Sequence, residues 1–258
     1  MTPLLQVQGL THYYGGLVAV SEVDLALAES QIIGLIGPNG AGKTTCFNLL
    51  TGLLTPTAGT IIFRGRSLVG LHSHQITARG VARTFQNIRL FDAMTARANV
   101  VVGMHCRMRT GVWGSVLRSR WARAEEAQAE AQAEALLTFV GLAGHGDTPA
   151  TGLAYGQQRR LEIARALATQ PALLCLDEPA AGMNESESRD LMDLVQRIRA
   201  RGITILLIEH DMYVVMHLCD RIAVLNFGRK IAEGIPAEIQ AHPDVITAYL
   251  GSEEDAAR

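Results

Sequence analysis

The hydrophobic pattern changes period several times along the chain, and each change marks an expected element. Residues 4–10 alternate apolar and polar positions, which predicts a strand. Residues 18–28 predict a second, with Ser21-Glu22 near a turn. Between them, Thr11-His12-Tyr13-Tyr14-Gly15-Gly16 reads as a polar, flexible loop carrying two aromatics. Residues 31–36 form a short apolar run, and residues 44–50 continue as a helix. The turn residues Thr55-Pro56-Thr57-Ala58-Gly59 lead into a β-rich run at 59–63. From 95 to 140 the pattern is helical, and the Ala/Glu/Gln-rich stretch 123–135 predicts a solvated helix. A further helix starts near Gly156, with Leu161, Ala164, Leu167 and Ala168 at helical spacing, and stops at Gln170-Pro171. Residues 172–178 and 203–208 are apolar without alternation, which suits strands buried on both faces of a parallel sheet. Between those runs, Asn184 and Glu187 predict a capping box. Leu191, Leu194, Val195 and Ile198 share one helix face, and Gly202 marks the stop. A hairpin is expected at 221–226 and 229–233 around Phe227-Gly228, and a disordered tail at 251–258. Strands alternating with helices imply an α/β core with a mainly parallel sheet, and the Ala/Glu/Gln-rich middle is a helical insertion.

Composition narrows the class. The chain has 258 residues, enough for one large domain or two small ones, and 48% are hydrophobic. Charged residues make up 19%, which leaves room for apolar surface kept for partners. A net charge of −2 gives no argument for nucleic acid as a ligand. Cys46, Cys106, Cys175 and Cys219 are widely separated, without metal spacing, and are expected to be reduced and buried in a cytosolic protein. The start of the chain has no basic-then-apolar signal pattern, and no apolar run approaches the roughly 20 residues needed to cross a bilayer. Any membrane role is therefore expected to be peripheral. Arg107, Arg109, Arg118, Arg120 and Arg123, around Trp113 and Trp121, read either as a solvated face or as a surface near lipid headgroups.

The chemistry is concentrated in Gly37-Pro38-Asn39-Gly40-Ala41-Gly42-Lys43-Thr44, followed by Thr45. This is the phosphate-loop pattern, and it lies between an expected strand and an expected helix. Bare backbone N–H groups and the helix N-terminus attract phosphate oxygens. Lys43 supplies charge to the β- and γ-phosphates, and the Thr44 hydroxyl is a candidate Mg²⁺ ligand. The second requirement of such a site is a strand ending in acids. Residues 172–178 provide it, with Asp177 as a candidate Mg²⁺ ligand and Glu178 placed to polarise an attacking water. Tyr14 or a neighbouring aromatic could stack on an adenine.

In order and almost from end to end, the chain resembles the nucleotide-binding subunits of ABC transporters. Tyr14 matches the adenine-stacking aromatic, Gly37 to Thr45 the Walker A loop, and Gln86 in Arg83-Thr84-Phe85-Gln86 the Q-loop glutamine. Leu153-Ala154-Tyr155-Gly156-Gln157 aligns with the signature Leu-Ser-Gly-Gly-Gln. Leu173 to Asp177 is similar to Walker B, with Glu178 as general base. Ala180-Ala181-Gly182-Met183-Asn184 matches the D-loop and His210 the switch histidine. The stretch 83–91, the Leu-Ala-Tyr-Gly-Gln variant, Glu178-Pro179-Ala180-Ala181-Gly182, Ile208-Glu209-His210-Asp211-Met212 and the ending 242–251 look like one branch, the ATPases of bacterial branched-chain amino-acid importers. Close relatives of that branch serve urea and other small amides.

The resemblance implies a P-loop NTPase (RecA-like) core with a mainly parallel sheet, N-terminal antiparallel strands and an α-helical subdomain. Its expected segments are 1–90 and 160–240 for the core, 91–159 for the helical subdomain and 241–258 for the extension. It implies ATP and Mg²⁺, with Thr44, Gln86 and Asp177 toward the metal. Lys43, Gln86, Glu178 and His210 would serve catalysis, and Ala154, Tyr155, Gly156 and Gln157 would face nucleotide bound by a second ATPase subunit. That subunit, different in sequence so that the two form a heterodimer, two integral-membrane permease subunits and, indirectly, a periplasmic solute-binding protein are the implied partners, at the cytoplasmic face of the inner membrane. A soluble ABC ATPase of DNA repair or translation usually carries long coiled coils or two fused cassettes, and neither is present. A P-loop kinase leaves Gln86, the signature region and His210 unexplained.

Overall fold

The computed structural model describes residues 3–107 and 120–250. In chain order the strands and helices are β1 (Leu5–Tyr14), β2 (Leu17–Leu27), β3 (Ile32–Ile36), α1 (Lys43–Leu50), β4 (Ala58–Phe63), β5 (Arg66–Ser67), α2 (Ser73–Ala78), β6 (Val81–Arg83), α3 (Ala96–Met104), α4 (Arg120–Phe139), α5 (Tyr155–Ala168), β7 (Leu173–Asp177), α6 (Glu185–Arg199), β8 (Thr204–Ile208), α7 (Met212–Leu218), β9 (Arg221–Asn226), β10 (Arg229–Gly234), α8 (Pro236–Gln240) and α9 (Pro243–Leu250). They divide into two compact units, one of residues 1–76 with 172–258 and one of residues 77–171.

The first unit holds two sheets. One is antiparallel, in the order β2-β1-β4-β5. The other runs β10-β9-β3-β8-β7, with β7, β8, β3 and β9 parallel and β10 returning antiparallel. Strands β3, β7 and β8 are buried at every position, as their uninterrupted apolar runs require. Helix α6 covers the core with Leu191, Leu194, Val195 and Ile198, and the Asn184–Glu187 capping box forms in both directions, each at 3.0 Å. The expected hairpin at Phe227-Gly228 is present as β9–β10.

The expected loop at 11–16 is instead mostly strand. Thr11 to Tyr14 continue β1, and His12, Tyr13 and Tyr14 pair with Val20, Val18 and Leu17, leaving only Gly15-Gly16 to turn. Ser21-Glu22 is an irregularity within β2, where Glu22 has φ 52°, rather than a turn ending it.

In the second unit, α3, α4 and α5 pack on one another, and the expected helical stretch 95–140 is divided by a turn at 105–107. Of the basic stretch, Arg109, Trp113 and Arg118 lie outside the described residues. Arg107 is not a simple solvated charge, because its Nε donates to the Thr169 carbonyl at 3.0 Å. The tail 251–258 also lies outside the described residues. Cys46, Cys175 and Cys219 are buried free thiols, whereas Cys106 is exposed, contrary to expectation. It follows the last turn of α3. Among the described residues no helix is long and apolar enough to cross a membrane.

Candidate functional site: a phosphate loop facing two strand ends

Parallel β3 delivers the chain into the loop at Gly37, and α1 begins at Lys43. The loop is shaped by backbone that only glycine tolerates. Gly42 has φ 98°, and a Cβ there would lie 2.4 Å from the Ala19 carbonyl oxygen. The far side of the loop is tied down as well. Gly228 N–H donates to Ala41 O at 3.1 Å, and Ser21 N–H donates to Gly228 O at 2.8 Å. The loop is thus hydrogen-bonded to the β9–β10 turn, and that turn to β2.

Lys43 is buried, and its ammonium donates to Gly37 O at 2.7 Å and Pro38 O at 2.9 Å. Burial lowers its pKa, while the charges of Glu178 and Asp177 pull it back up. Thr44 is exposed at the start of α1, with Thr45 half-buried beside it. One turn into the helix, Cys46 faces the core, and burial pushes its thiol up to about 12.

Parallel pairing puts the end of β8 beside the end of β3, and the end of β7 on the far side of β8. Asp177 ends β7 and is 2% exposed. Glu178 follows with φ 46°, an uncommon backbone for a non-glycine residue. Its N–H donates to Ile208 O at 2.9 Å, which ties the turn after β7 to β8. Its Oε2 lies 3.7 Å from His210 Nδ1.

Sequence reasoning missed Glu209. It is 1% exposed; Oε1 accepts from Ala180 N–H at 2.7 Å and Oε2 accepts from His210 N–H at 3.2 Å. Burial raises its pKa, opposed by the hydrogen bond from Ala180. Glu209 therefore joins the segment after Glu178 to the backbone of His210. The only sequence signal is an acid next to the histidine at a strand end, where acids are ordinarily solvated.

Tyr14, half-exposed near the tip of the β1–β2 hairpin, meets His12 edge to face at 4.8 Å between centroids. His12 Nδ1 lies 3.1 Å from Thr55 O. The first unit thus contains Tyr14, residues 37–45, Asp177, Glu178 and His210. Gln86 and residues 154–157 belong to the second unit. There, Ala154 N-caps α5 without a side-chain hydrogen bond, Gln157 Oε1 accepts from Ala154 N–H at 3.0 Å, and the Tyr155 ring is 48% exposed.

Chemically, the first unit offers backbone donors and a cation for phosphates, with a carboxylate and an imidazole alongside. A profile described as ABC transporter matches residues 20–181 of the chain. The chain belongs to the ABC transporter ATP-binding family. As an ABC ATPase it binds nucleotide, and its P-loop NTPase fold is that of the family. A second profile, of the branched-chain amino acid ATP-binding cassette transporter, matches residues 229–255. The cassette is 51% identical over 250 residues to LivG, a high-affinity branched-chain amino acid transport ATP-binding protein of Salmonella typhimurium, covering 96% of this chain and 98% of that one. It is 48% identical to BraF of Pseudomonas aeruginosa, described in the same terms, at the same coverage. Among solved structures, the ADP conformation of an ATP-binding cassette of an ABC transporter superposes with a TM-score of 0.84 at 30% identity, covering 98% of this chain and all of that one.

Proposed function

We propose that this ABC ATPase hydrolyses ATP to drive import of branched-chain amino acids. The observation that carries the hydrolytic part is the pairing of Glu178 with His210 at 3.7 Å, at strand ends next to the loop that holds Lys43. Glu178 takes a proton from the attacking water, and His210 contacts the γ-phosphate. Lys43 and the loop amides hold the β- and γ-phosphates. Thr44 and Asp177 fit Mg²⁺, because both offer hard oxygen donors and this ion needs only one or two protein oxygens besides phosphate. Gln86, by its match to the Q-loop glutamine, is assigned to sensing the metal and γ-phosphate. When bound, Mg²⁺ neutralises charge on the phosphates.

The solute assignment rests on the likeness to LivG and BraF across nearly the whole chain. Its test is reconstitution with candidate permease subunits and a solute-binding protein. Leucine-dependent ATPase activity and ATP-dependent leucine uptake are expected. Uptake of urea or a short amide with none of leucine would overturn the assignment.

The adenine platform is Tyr14, held edge-on by His12. Tyr14→Ala is expected to weaken ATP about two- to tenfold in Kd, since stacking contributes roughly 0.5–1.5 kcal/mol, with little change in kcat at saturation. If Tyr13→Ala weakens binding and Tyr14→Ala does not, Tyr13 is the platform.

Two ATPase subunits would sandwich ATP between the Walker A loop of one and the signature of the other, and closure would move the permeases. In this chain the signature lacks a hydroxyl at Ala154, and Tyr155 adds bulk. One hydrogen bond to a charged group is worth about 1.5–3 kcal/mol, so the site completed by this signature is the weaker one. A heterodimer with a partner bearing an intact signature then keeps one full site, built on Lys43 and Glu178 of this chain. In the assembled complex, Glu178→Gln is expected to cost more ATPase activity than the equivalent change in the partner. A larger loss from the partner's change, or a fully coupled homodimer, would refute the asymmetry.

A further inference from the structure

The stretch between β6 and α3 has no regular structure, so its backbone polar groups need partners from elsewhere. Two fully buried charges on α5 supply them. Arg159, 0% exposed, donates through Nη1 to Phe85 O at 2.6 Å and through Nη2 to Gln86 O at 2.7 Å. Its Nη1 also pairs with Glu162 Oε2 at 2.8 Å. Glu162, 1% exposed, uses Oε1 to accept from Phe85 N–H at 3.3 Å and Arg89 N–H at 3.4 Å. The Phe85 ring lies 5.2 Å from the Arg83 guanidinium and 4.5 Å from that of Arg89. The backbone on both sides of Gln86 is therefore fixed to the helix that carries the signature at its N-terminus, while the Gln86 side chain is exposed.

We propose that Arg159 and Glu162 form a buried clamp that makes the Gln86 segment and the signature helix move as one body, so that both are positioning residues for ATP hydrolysis. A stability role explains the pair poorly. Burial of an ion pair often roughly cancels its attraction, and apolar groups of similar volume commonly do as well or better. Burial also raises the pKa of Glu162 against the pull of Arg159. Arg159 Nε finds no hydrogen-bond partner among the described residues, a further cost of keeping a guanidinium here. What the pair supplies and apolar groups cannot is a fork aimed at two consecutive carbonyls, with a carboxylate aimed at two N–H groups. That geometry fixes position, and through Gln86 it fixes where a γ-phosphate sensor stands relative to Ala154-Tyr155-Gly156-Gln157.

The inference rests on the reading of Gln86 given above. The test uses the full chain in its assembled transporter, with MgATP. The double variant Arg159→Met with Glu162→Leu is expected to lower kcat at least about tenfold, with KM for ATP within about threefold and with the variant still folded and assembled. Glu162→Gln keeps a carbonyl oxygen for the Phe85 and Arg89 N–H groups but turns an NH2 toward Arg159 Nη1, so it is expected to lower kcat less than the double variant does. A folded double variant with wild-type kcat would overturn the clamp. So would a double variant that fails to assemble, which would make the pair structural, or a Glu162→Gln loss as large as that of the double variant. Gln86→Ala, measured alongside, separates the two ideas. Its loss without a clamp effect refutes the clamp alone, and no loss from Gln86→Ala refutes the reading of Gln86.

Discussion

Glu178→Gln is expected to lower ATP turnover by about 10²–10⁴-fold, or roughly 2.7–5.4 kcal/mol of barrier, with ATP affinity near wild type. The substitution is nearly isosteric, so the φ 46° turn and the Glu178 N–H bond to Ile208 O are kept. What it removes is the carboxylate that lies 3.7 Å from His210 Nδ1. Asp177 does not replace it, because Asp177 is buried at the end of β7 and is assigned to the metal. Single-turnover and steady-state kinetics on the variant, with nucleotide Kd from equilibrium binding, separate chemistry from binding. A kcat within twofold of wild type would remove Glu178 from the role of general base.

His210→Ala is the second large expected effect, a fall in kcat of about 10²-fold or more. The competing account is a histidine that merely supports the fold, and burial decides between them. The His210 side chain is 64% exposed and its ring lies 3.7 Å from Glu178 and 3.9 Å from Glu209, so little packing is lost on truncation. Surface substitutions of this kind change stability by about 0.5 kcal/mol or less. The expected result is therefore lost turnover at an unchanged melting temperature. A lowered melting temperature with preserved kcat would make His210 structural.

The parts of the fold that a sequence shows best are those with a single physical cause. Strands β3, β7 and β8 were legible because burial on both faces removes alternation, and the Asn184–Glu187 cap because its two side chains answer each other at fixed spacing. The segment at Thr11 to Tyr14 was not legible. A run ending in Gly-Gly carries loop composition, yet its backbone pairs across the hairpin, and pairing is a property of the partner strand. Glu209 and the Arg159–Glu162 pair were hidden for another reason. Acids at a strand end and opposite charges three apart on a helix are ordinarily solvated, and only packing shows that these are not. Gln86 and the signature residues were legible as a family pattern, while the link between them was not.

The position of Cys46 has a consequence for how the cassette withstands oxidants. A reactive thiol one turn beyond Lys43 would put the phosphate loop under redox control, since oxidation or alkylation there would crowd it. Burial instead holds the thiol at about 12, so the thiolate fraction at neutral pH is on the order of 10⁻⁵. Electrophiles meet Cys106 first, which is exposed and lies in the other unit. The thiol nearest the phosphate loop is thereby shielded, and thiol reagents are met at a site in the other unit.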